Sequence, residues 1–118
     1  MYDENEKSNY QYIVVDVDEL VSRINRNDII RILYAENIYA RRYFYSGCHQ
    51  MEPYKSYYPH AGLLLPQTNQ VSQRVMTLPT GTAVSEHDID EITNLIKFVI
   101  NNADKVKSSM KSLSPYEA

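Results

Sequence analysis

The stretch Ile38-Tyr-Ala-Arg-Arg-Tyr-Phe-Tyr45 decides the fold, because its side chains alternate with the period of a β-strand. One face of this predicted strand is mostly apolar and comprises Ile38, Ala40, Arg42 and Phe44. The opposite face comprises Tyr39, Arg41, Tyr43 and Tyr45. We therefore predict a strand over Ile38–Tyr45 with a core face and a tyrosine-rich face, and the tyrosine-rich face is the candidate functional surface.

The segment that leaves this strand, Ser46–Pro66, is expected to be a long loop. It contains three prolines, two glycines and three tyrosines and has no steady hydrophobic period. Such loops often carry function, and Gly47 supplies a flexible turn that can point His49 into a cleft. Cys48 and His49 are adjacent, which is neither a usual zinc-ligand spacing nor the usual arrangement of a nucleophile and its base. Packing or substrate contact is the favoured role for this pair.

Two further strands and a short helix are predicted on either side of this region. The run Tyr10–Val17 is rich in β-branched and aromatic residues, as strands are. A second strand, Val75–Leu78, is followed by a Pro-Thr-Gly turn that ends it. Before that strand, Thr68 or Asn69 is expected to cap a short helix over Gln70–Arg74.

Two main helices are predicted from cap residues and apolar spacing. The first begins at Asn25, with Asp28 three residues further on, and extends to about Asn37. The second begins at Ser85, where Asp88 completes a capping box. Because an apolar stripe must be buried, the second helix is expected to pack on the sheet. Its stripe recurs at spacings of three and four residues and comprises Ile89, Ile92, Leu95, Ile96, Val99, Ile100 and Ala103.

These elements predict an α+β domain over residues 1–107, with a small antiparallel or mixed sheet covered on one face by two main helices. Residues 108–118, rich in serine and lysine, are predicted to be a flexible tail. The uncovered face then carries more aromatic area than a soluble monomer usually leaves in water. A ligand or a partner surface is expected to cover part of it. Its rings are Tyr10, Tyr12, Tyr39, Tyr43 and Tyr45.

Composition limits the possible partners. The 118 residues carry a net charge of -3 and a single cysteine, so neither a broad basic surface for nucleic acid nor an internal disulfide is available. No apolar run approaches the roughly 20 residues that cross a bilayer. The first residues are acidic and polar, unlike a secretion signal. We expect a cytoplasmic protein that binds neither nucleic acid nor membrane.

Arg41 and Arg42 are neighbours in the predicted strand, so their side chains leave on opposite faces and cannot clamp one phosphate together. Arg41 lies on the tyrosine-rich face, where its guanidinium could pair with a phosphate or a carboxylate while the rings flank a base or a sugar. Arg42 is expected to pair with a carboxylate at the sheet edge. An ordinary structural ion pair is the alternative for both residues.

Six stretches of the sequence form a recognisable set: Asn9–Tyr12, Ala35–Ile38, Ala40–Tyr45, Gly47–His49, Met51–Tyr54 and Leu78–Gly81. Taken in chain order, these stretches resemble the C-terminal end of the DegT/StrS family of pyridoxal-phosphate-dependent sugar aminotransferases, and the resemblance covers nearly the whole chain. The resemblance implies the small C-terminal domain of a fold-type-I aminotransferase, which closes over the active site. It is strongest to members that act on dTDP-4-dehydro-6-deoxyhexoses. Where the family often has proline, this chain has Ser46, which leaves the following loop less restrained.

The resemblance also implies chemistry and partners. Family members use pyridoxal phosphate to transfer an amino group from an amino acid, usually glutamate, to a keto-deoxysugar nucleotide. The candidate substrate-binding residues on the sugar-nucleotide side of the cleft are Arg41, Tyr43, Tyr45 and His49. None of the lysines matches the family's cofactor lysine, so we expect this chain to bind no cofactor and to be inactive alone. Its expected partners are the large cofactor-binding domain of the same enzyme and a second subunit in a homodimer.

Two other functions remain open at this point. The chain could be a stand-alone α+β module that binds a small molecule or regulates another protein, or it could be a dimerisation domain. The fold does not decide between these functions and a part of an enzyme. An RNA-recognition module is disfavoured, because the sequence Arg-Arg-Tyr-Phe-Tyr lacks the interleaved glycine that such modules carry on their central strand.

Overall fold

A three-stranded antiparallel sheet lies at the centre of the computed structural model, which describes residues 3–113. The strands are β1 (Ile13–Asp16), β2 (Arg41–Arg42) and β3 (Val75–Leu78), and β3 is the central one. The register pairs Val15 and Arg42 with Met76, so these three side chains point to the same face of the sheet. The opposite face is formed by Val14 and Arg41 on either side of Thr77.

Seven α-helices are present within the described residues. Only three of them, α2, α6 and α7, contribute residues to the main hydrophobic core. The helices are α1 (Glu19–Ser22), α2 (Arg26–Ala35), α3 (Tyr54–Tyr57), α4 (Ala61–Leu64), α5 (Pro66–Arg74), α6 (Glu86–Asn101) and α7 (Ala103–Leu113), and a 3₁₀ helix (Cys48–Gln50) precedes α3.

The core lies between one face of the sheet and the helices α2, α6 and α7. Ile29, Leu33 and Met76 are almost completely buried, and each such side chain contributes about 1.5–3 kcal/mol to folding. The predicted α+β arrangement, with the two main helices on one face of an antiparallel sheet, is confirmed. The buried core residues are Val17, Ile24, Ile29, Ile30, Leu33, Ala40, Met76, Val99 and Ala103.

Both main helices begin where their cap residues predict. The side-chain oxygen of Asn25 accepts a hydrogen bond from the backbone N–H of Asp28 at 2.9 Å, at the start of α2. At the start of α6, Ser85 Oγ accepts from the N–H of Asp88 at 3.2 Å, and the Asp88 carboxylate accepts from the N–H of Ser85 at 2.7 Å. These local bonds satisfy N–H groups that the helix itself leaves unpaired, which is why sequence alone locates both starts.

The predicted strand Tyr10–Val17 is shorter in the structure and covers only Ile13–Asp16. Ile13, the first residue of β1, pairs with Leu78, the last residue of β3. The residue that follows β3 is Pro79. Proline has no N–H to extend the ladder, so the residues before Ile13 leave the sheet.

The predicted strand Ile38–Tyr45 is wrong on both sides of its middle, because β2 covers only Arg41–Arg42. Its one partner, β3, begins at Val75, whose carbonyl accepts a long hydrogen bond of 3.4 Å from the N–H of Tyr43. No further strand residues are available to pair with, and the chain turns. A bond of 2.7 Å from the N–H of Gly47 to the carbonyl of Phe44 closes this turn.

The segment Ser46–Pro66, expected to be a loop, is largely helical and contains the 3₁₀ helix, α3 and α4. Pro66 is the first residue of α5, where its missing N–H costs nothing because the first N–H groups of a helix have no partner inside it. The cap predicted at Thr68 or Asn69 is therefore wrong. The side chain of Asn69 instead makes bonds to residues outside α5.

Helical structure continues further towards the C-terminus than the sequence predicts. The helix α7 includes residues 108–113 of the predicted tail. Val106 packs against the core, and Lys107 Nζ donates to the carbonyl of Arg23 at 3.0 Å, so the first half of α7 is tied to the domain. Residues 114–118 lie outside the described residues, and the division into a domain 1–107 and a tail 108–118 stays a prediction.

Candidate functional site

The sheet face opposite the core is largely exposed and rich in aromatic rings. The rings of Tyr12 and Tyr43 lie 5.6 Å apart, and the ring of Phe44 lies 4.7 Å from that of Tyr43. Tyr12 is 55% exposed and Phe44 is 60% exposed. We call this surface the ring-rich face and define it by Tyr12, Val14, Arg41, Tyr43 and Phe44. Within residues 3–113, no helix seals it.

Arg41 lies on the ring-rich face, as predicted. Its side chain is exposed and has no hydrogen-bond or ion-pair partner within residues 3–113. Its backbone carbonyl accepts a bond from Thr77 Oγ1 at 3.5 Å, which holds the strand but leaves the guanidinium available. A planar guanidinium beside exposed rings can bind a phosphate or a carboxylate in two parallel hydrogen bonds.

Tyr45 does not lie with Arg41, contrary to the predicted strand face. Because the chain turns after β2, the Tyr45 ring lies next to Arg26 and Arg42. The guanidinium carbon of Arg42 lies 4.7 Å from the centre of the Tyr45 ring, and that of Arg26 lies 5.2 Å from it. The carboxylate partner expected for Arg42 is absent among the described residues, and a cation–π contact takes its place. Tyr39 was also predicted on the tyrosine-rich face, but in the structure its ring packs on that of Tyr34.

His49 is positioned by a short hydrogen-bond chain. Its Nε2 lies 2.7 Å from Asn69 Oδ1, and Asn69 Nδ2 donates to the carbonyl of Gly62 at 2.8 Å. These bonds connect the 3₁₀ helix with α4 and α5. Gly47 is required beside it, because its φ is +91° and a Cβ at this position would lie 2.7 Å from the imidazole Cε1.

Two apolar cavities connect the ring-rich face with His49. The first, of about 480 Å³, opens beside Tyr43 and Phe44, and the second, of about 400 Å³, is lined by His49 and Tyr54. Both are bordered by Cys48 and Thr68, so they lie next to each other. The structure thus places Tyr43 and His49 at neighbouring cavities, with Arg41 on the same sheet face as Tyr43. It places Tyr45 on the other side of the turn.

Sequence reasoning missed Arg26, which is more deeply buried than any other charged residue in the described part of the chain. Its side chain is 1% exposed, and its Nη1 donates to the carbonyls of Ser72 at 3.0 Å and Val75 at 2.7 Å. Burial lowers the pKa of the Arg26 guanidinium, the nearby charge of Arg42 lowers it further, and Tyr45 partly offsets both. The local sequence gave no signal, because an arginine after a cap asparagine is typical of an exposed helix start.

Other site classes find no support within residues 3–113. No group of three or more histidine, cysteine, aspartate or glutamate side chains is arranged there to hold a metal ion. None of the helices in that range combines the length and the apolar character that spanning a bilayer requires.

Three comparisons relate the chain to known proteins. Residues 1–97 match the model of the DegT/DnrJ/EryC1/StrS aminotransferase family. A relative from Escherichia coli, described as dTDP-4-amino-4,6-dideoxy-D-glucose transaminase, is 30% identical over 92 residues, which are 78% of this chain and 24% of that protein. A crystal structure of DesI in the presence of its TDP-sugar product is similar with a TM-score of 0.77 and 36% identity, over 87% of this chain and 26% of that chain. This chain therefore spans about a quarter of the length of both relatives.

Proposed function

The chain belongs to the DegT/DnrJ/EryC1/StrS aminotransferase family, and from this premise we propose that it is the C-terminal domain of a nucleotide-sugar aminotransferase. The enzyme transfers an amino group from an amino acid such as glutamate to a keto-deoxysugar nucleotide, with pyridoxal phosphate as cofactor. One observation carries the proposal. An exposed aromatic face, with a guanidinium that has no partner within residues 3–113, is present in a chain that matches only a quarter of each relative's length.

The proposed roles of the site residues follow from their positions. Arg41 binds the negatively charged diphosphate of the nucleotide sugar, because its guanidinium is exposed and has no partner among the described residues. The ring of Tyr43 flanks the base or the sugar, and His49 contacts a sugar oxygen at the far end of the paired cavities. Tyr45, the fourth candidate, lies on the other side of the turn, where its ring contacts the guanidinium of Arg42.

The described lysines do not fit a site for pyridoxal phosphate. The cofactor needs a lysine for its aldehyde and a carboxylate for its ring nitrogen in one pocket. Lys105 and Asp104 line one cavity together, but its volume of about 240 Å³ is below the usual range for ligand pockets. In addition, the Asp104 carboxylate pairs with Arg23 at 3.3 Å. We accordingly assign the cofactor to the larger part of the enzyme.

That larger part is also the proposed partner of the ring-rich face. Exposed aromatic rings and an arginine are the composition typical of a protein interface. The segment after the turn adds further exposed apolar side chains on α3 and α4, among them Tyr57, Leu63 and Leu64. The cofactor-binding domain, within one subunit or across a homodimer, would cover these side chains and enclose the nucleotide sugar between the two bodies.

A chimaeric enzyme tests the proposal. The C-terminal quarter of the Escherichia coli transaminase is replaced by this chain, and amino transfer from glutamate to a dTDP-4-keto-6-deoxyhexose is measured by chromatography of the sugar nucleotides. We expect the chimaera to be active, whereas the large domain alone and the chain alone are inactive. A folded chimaera that carries the cofactor but transfers no amino group contradicts the proposal, and so does catalysis by the chain alone.

The role of Arg41 is tested in the same chimaera. Arg41→Gln removes a charge-assisted bond to the substrate, so KM for the nucleotide sugar should rise about tenfold or more while kcat changes little. Arg31→Gln is the control, because it makes the same change of charge on α2, a helix that covers the opposite face of the sheet. It should leave KM for the nucleotide sugar unchanged. Equal effects of the two substitutions would show that Arg41 acts only through net charge.

A further inference from the structure

Arg26 and Arg42 form a pair of positive charges on the side of β2 opposite Arg41. Both guanidinium groups lie about 5 Å from the centre of the same ring, that of Tyr45. Within residues 3–113, no carboxylate pairs with either arginine. The nearby carbonyls at the end of α5 supply the partial negative charge of a helix C-terminus, about half an elementary charge. Two full positive charges are therefore under-compensated.

The buried arginine also has an unused hydrogen-bond donor. Arg26 Nε donates to Asn27 Oδ1 at 2.9 Å, and Nη1 donates to two carbonyls, but Nη2 has no partner among the described residues and is closed to solvent. Buried polar atoms are nearly always hydrogen-bonded, because an unpaired one forfeits its hydration without replacement. A buried, charged donor without an acceptor indicates that an acceptor is supplied from outside the described chain.

We propose that Arg26, Arg42 and Tyr45 form a binding site for one oxyanion, either a carboxylate or a phosphate. A single oxyanion can accept from Arg26 Nη2 and from the exposed guanidinium of Arg42, and it cancels the repulsion between the two. The ring of Tyr45 is 39% exposed and lies against both groups, so the anion enters from the Arg42 side as this ring moves aside.

This site is separate from the proposed nucleotide-sugar surface. Arg41 and Arg42 are neighbours in β2, and the register places Arg41 with Thr77 and Arg42 with Met76, on opposite faces of the sheet. The inference therefore does not depend on the proposed function, and it is tested without a nucleotide sugar or an activity assay.

An NMR titration of the chain tests the inference. The side-chain Nε–H signals of Arg26 and Arg42 are followed while sodium phosphate or sodium acetate replaces sodium chloride at constant ionic strength. We expect saturable shifts of both signals with at least one of the two anions. Saturation by acetate alone identifies a carboxylate ligand, saturation by phosphate alone identifies a phosphorylated one, and saturation by both supports a general oxyanion site.

A matched pair of variants makes the result decisive. Arg42→Gln removes the exposed half of the site, and the apparent affinity measured at the Arg26 signal should fall about tenfold or more. Arg31→Gln, on the helix that carries Arg26, should leave the titration unchanged. Arg26 itself is not substituted, because its loss would also remove its hydrogen bonds to two backbone carbonyls. The proposal is overturned if neither anion gives saturable shifts, or if Arg42→Gln binds as tightly as the unchanged chain.

Discussion

Arg26 is the residue whose role depends most on tertiary structure. It is the first residue of α2, and it donates to the carbonyl of Ser72 near the end of α5 and to that of Val75 at the start of β3. The last carbonyls of a helix have no partner inside it, so the guanidinium of Arg26 caps α5 from another element. One side chain thus joins two helices and the central strand.

We expect Arg26→Ala to lower the free energy of unfolding by about 2–4 kcal/mol, because two buried carbonyls lose their donor and a cavity remains. Urea denaturation followed by circular dichroism measures the change. Arg41→Ala is the matched control, since its side chain is exposed and unpaired in the described structure, and it should change stability by less than about 0.5 kcal/mol. Comparable losses in both variants would contradict the capping role of Arg26.

His49 connects the 3₁₀ helix with α4 and α5 through Asn69. We expect His49→Ala to remove about 1 kcal/mol of local stability, so that backbone amides in α4 exchange with deuterium several-fold faster. Hydrogen exchange detected by mass spectrometry measures this. His60→Ala is the control, because His60 is exposed and its ring makes no hydrogen bond to any residue in the range 3–113. Unchanged exchange in α4 after His49→Ala would mean that the bond to Asn69 does not restrain this segment.

At the level of elements, the starts of the two main helices were predictable from sequence because their signals are local. Ser85 and Asp88 are three residues apart and bond to each other, so the start of α6 needs no other part of the chain. The end of β2 was not predictable in this way. Tyr43 leaves the ladder because β3 begins at Val75, which is distant in sequence. Arg41 lies within the short strand, so the alternating pattern placed it correctly on the exposed face. Tyr45 lies beyond the end of the strand, so the same pattern placed it on the wrong side.

The capping box of α6 gives a pH-dependent prediction. Hydrogen bonds from the side chain and backbone N–H of Ser85 lower the pKa of the Asp88 carboxyl. A lowered pKa in the folded state means that the stabilisation is present above the pKa of the unfolded chain and is lost as pH falls through the folded value. Ser85→Ala should therefore raise the pKa of Asp88 and destabilise the protein at neutral pH, and the difference from the unchanged protein should shrink at acidic pH.

Thermal unfolding at several pH values and an NMR titration of the Asp88 carboxyl measure these effects. Ser108→Ala is the control, because the Ser108 hydroxyl bonds only to the carbonyl one turn earlier in α7. It should leave both the midpoint of unfolding and the pKa of Asp88 unchanged. A difference between Ser85→Ala and the unchanged protein that stays constant down to strongly acidic pH would contradict the assignment to Asp88.

At the scale of the whole molecule, the two faces of the sheet differ in how completely the described chain covers them. The core is complete on one side of the sheet, where α2, α6 and α7 cover it. On the other side Tyr12 and Phe44 remain more than half exposed, and none of the helices in the described part of the chain seals them. A surface of this kind is expected where another protein body docks.

The chain should accordingly bind a hydrophobic dye and self-associate through this face. Tyr12→Ser and Phe44→Asn together should reduce the dye fluorescence to below about half, because they remove two of its most exposed rings. Asparagine suits position 44, where φ is +43°. Phe98→Ser is the matched control, since Phe98 is 59% exposed on α6, a helix of the covered side. Sedimentation velocity measures the self-association. If Phe98→Ser lowered dye binding and association as much as the double variant does, the docking surface would lie on the helices instead of the sheet.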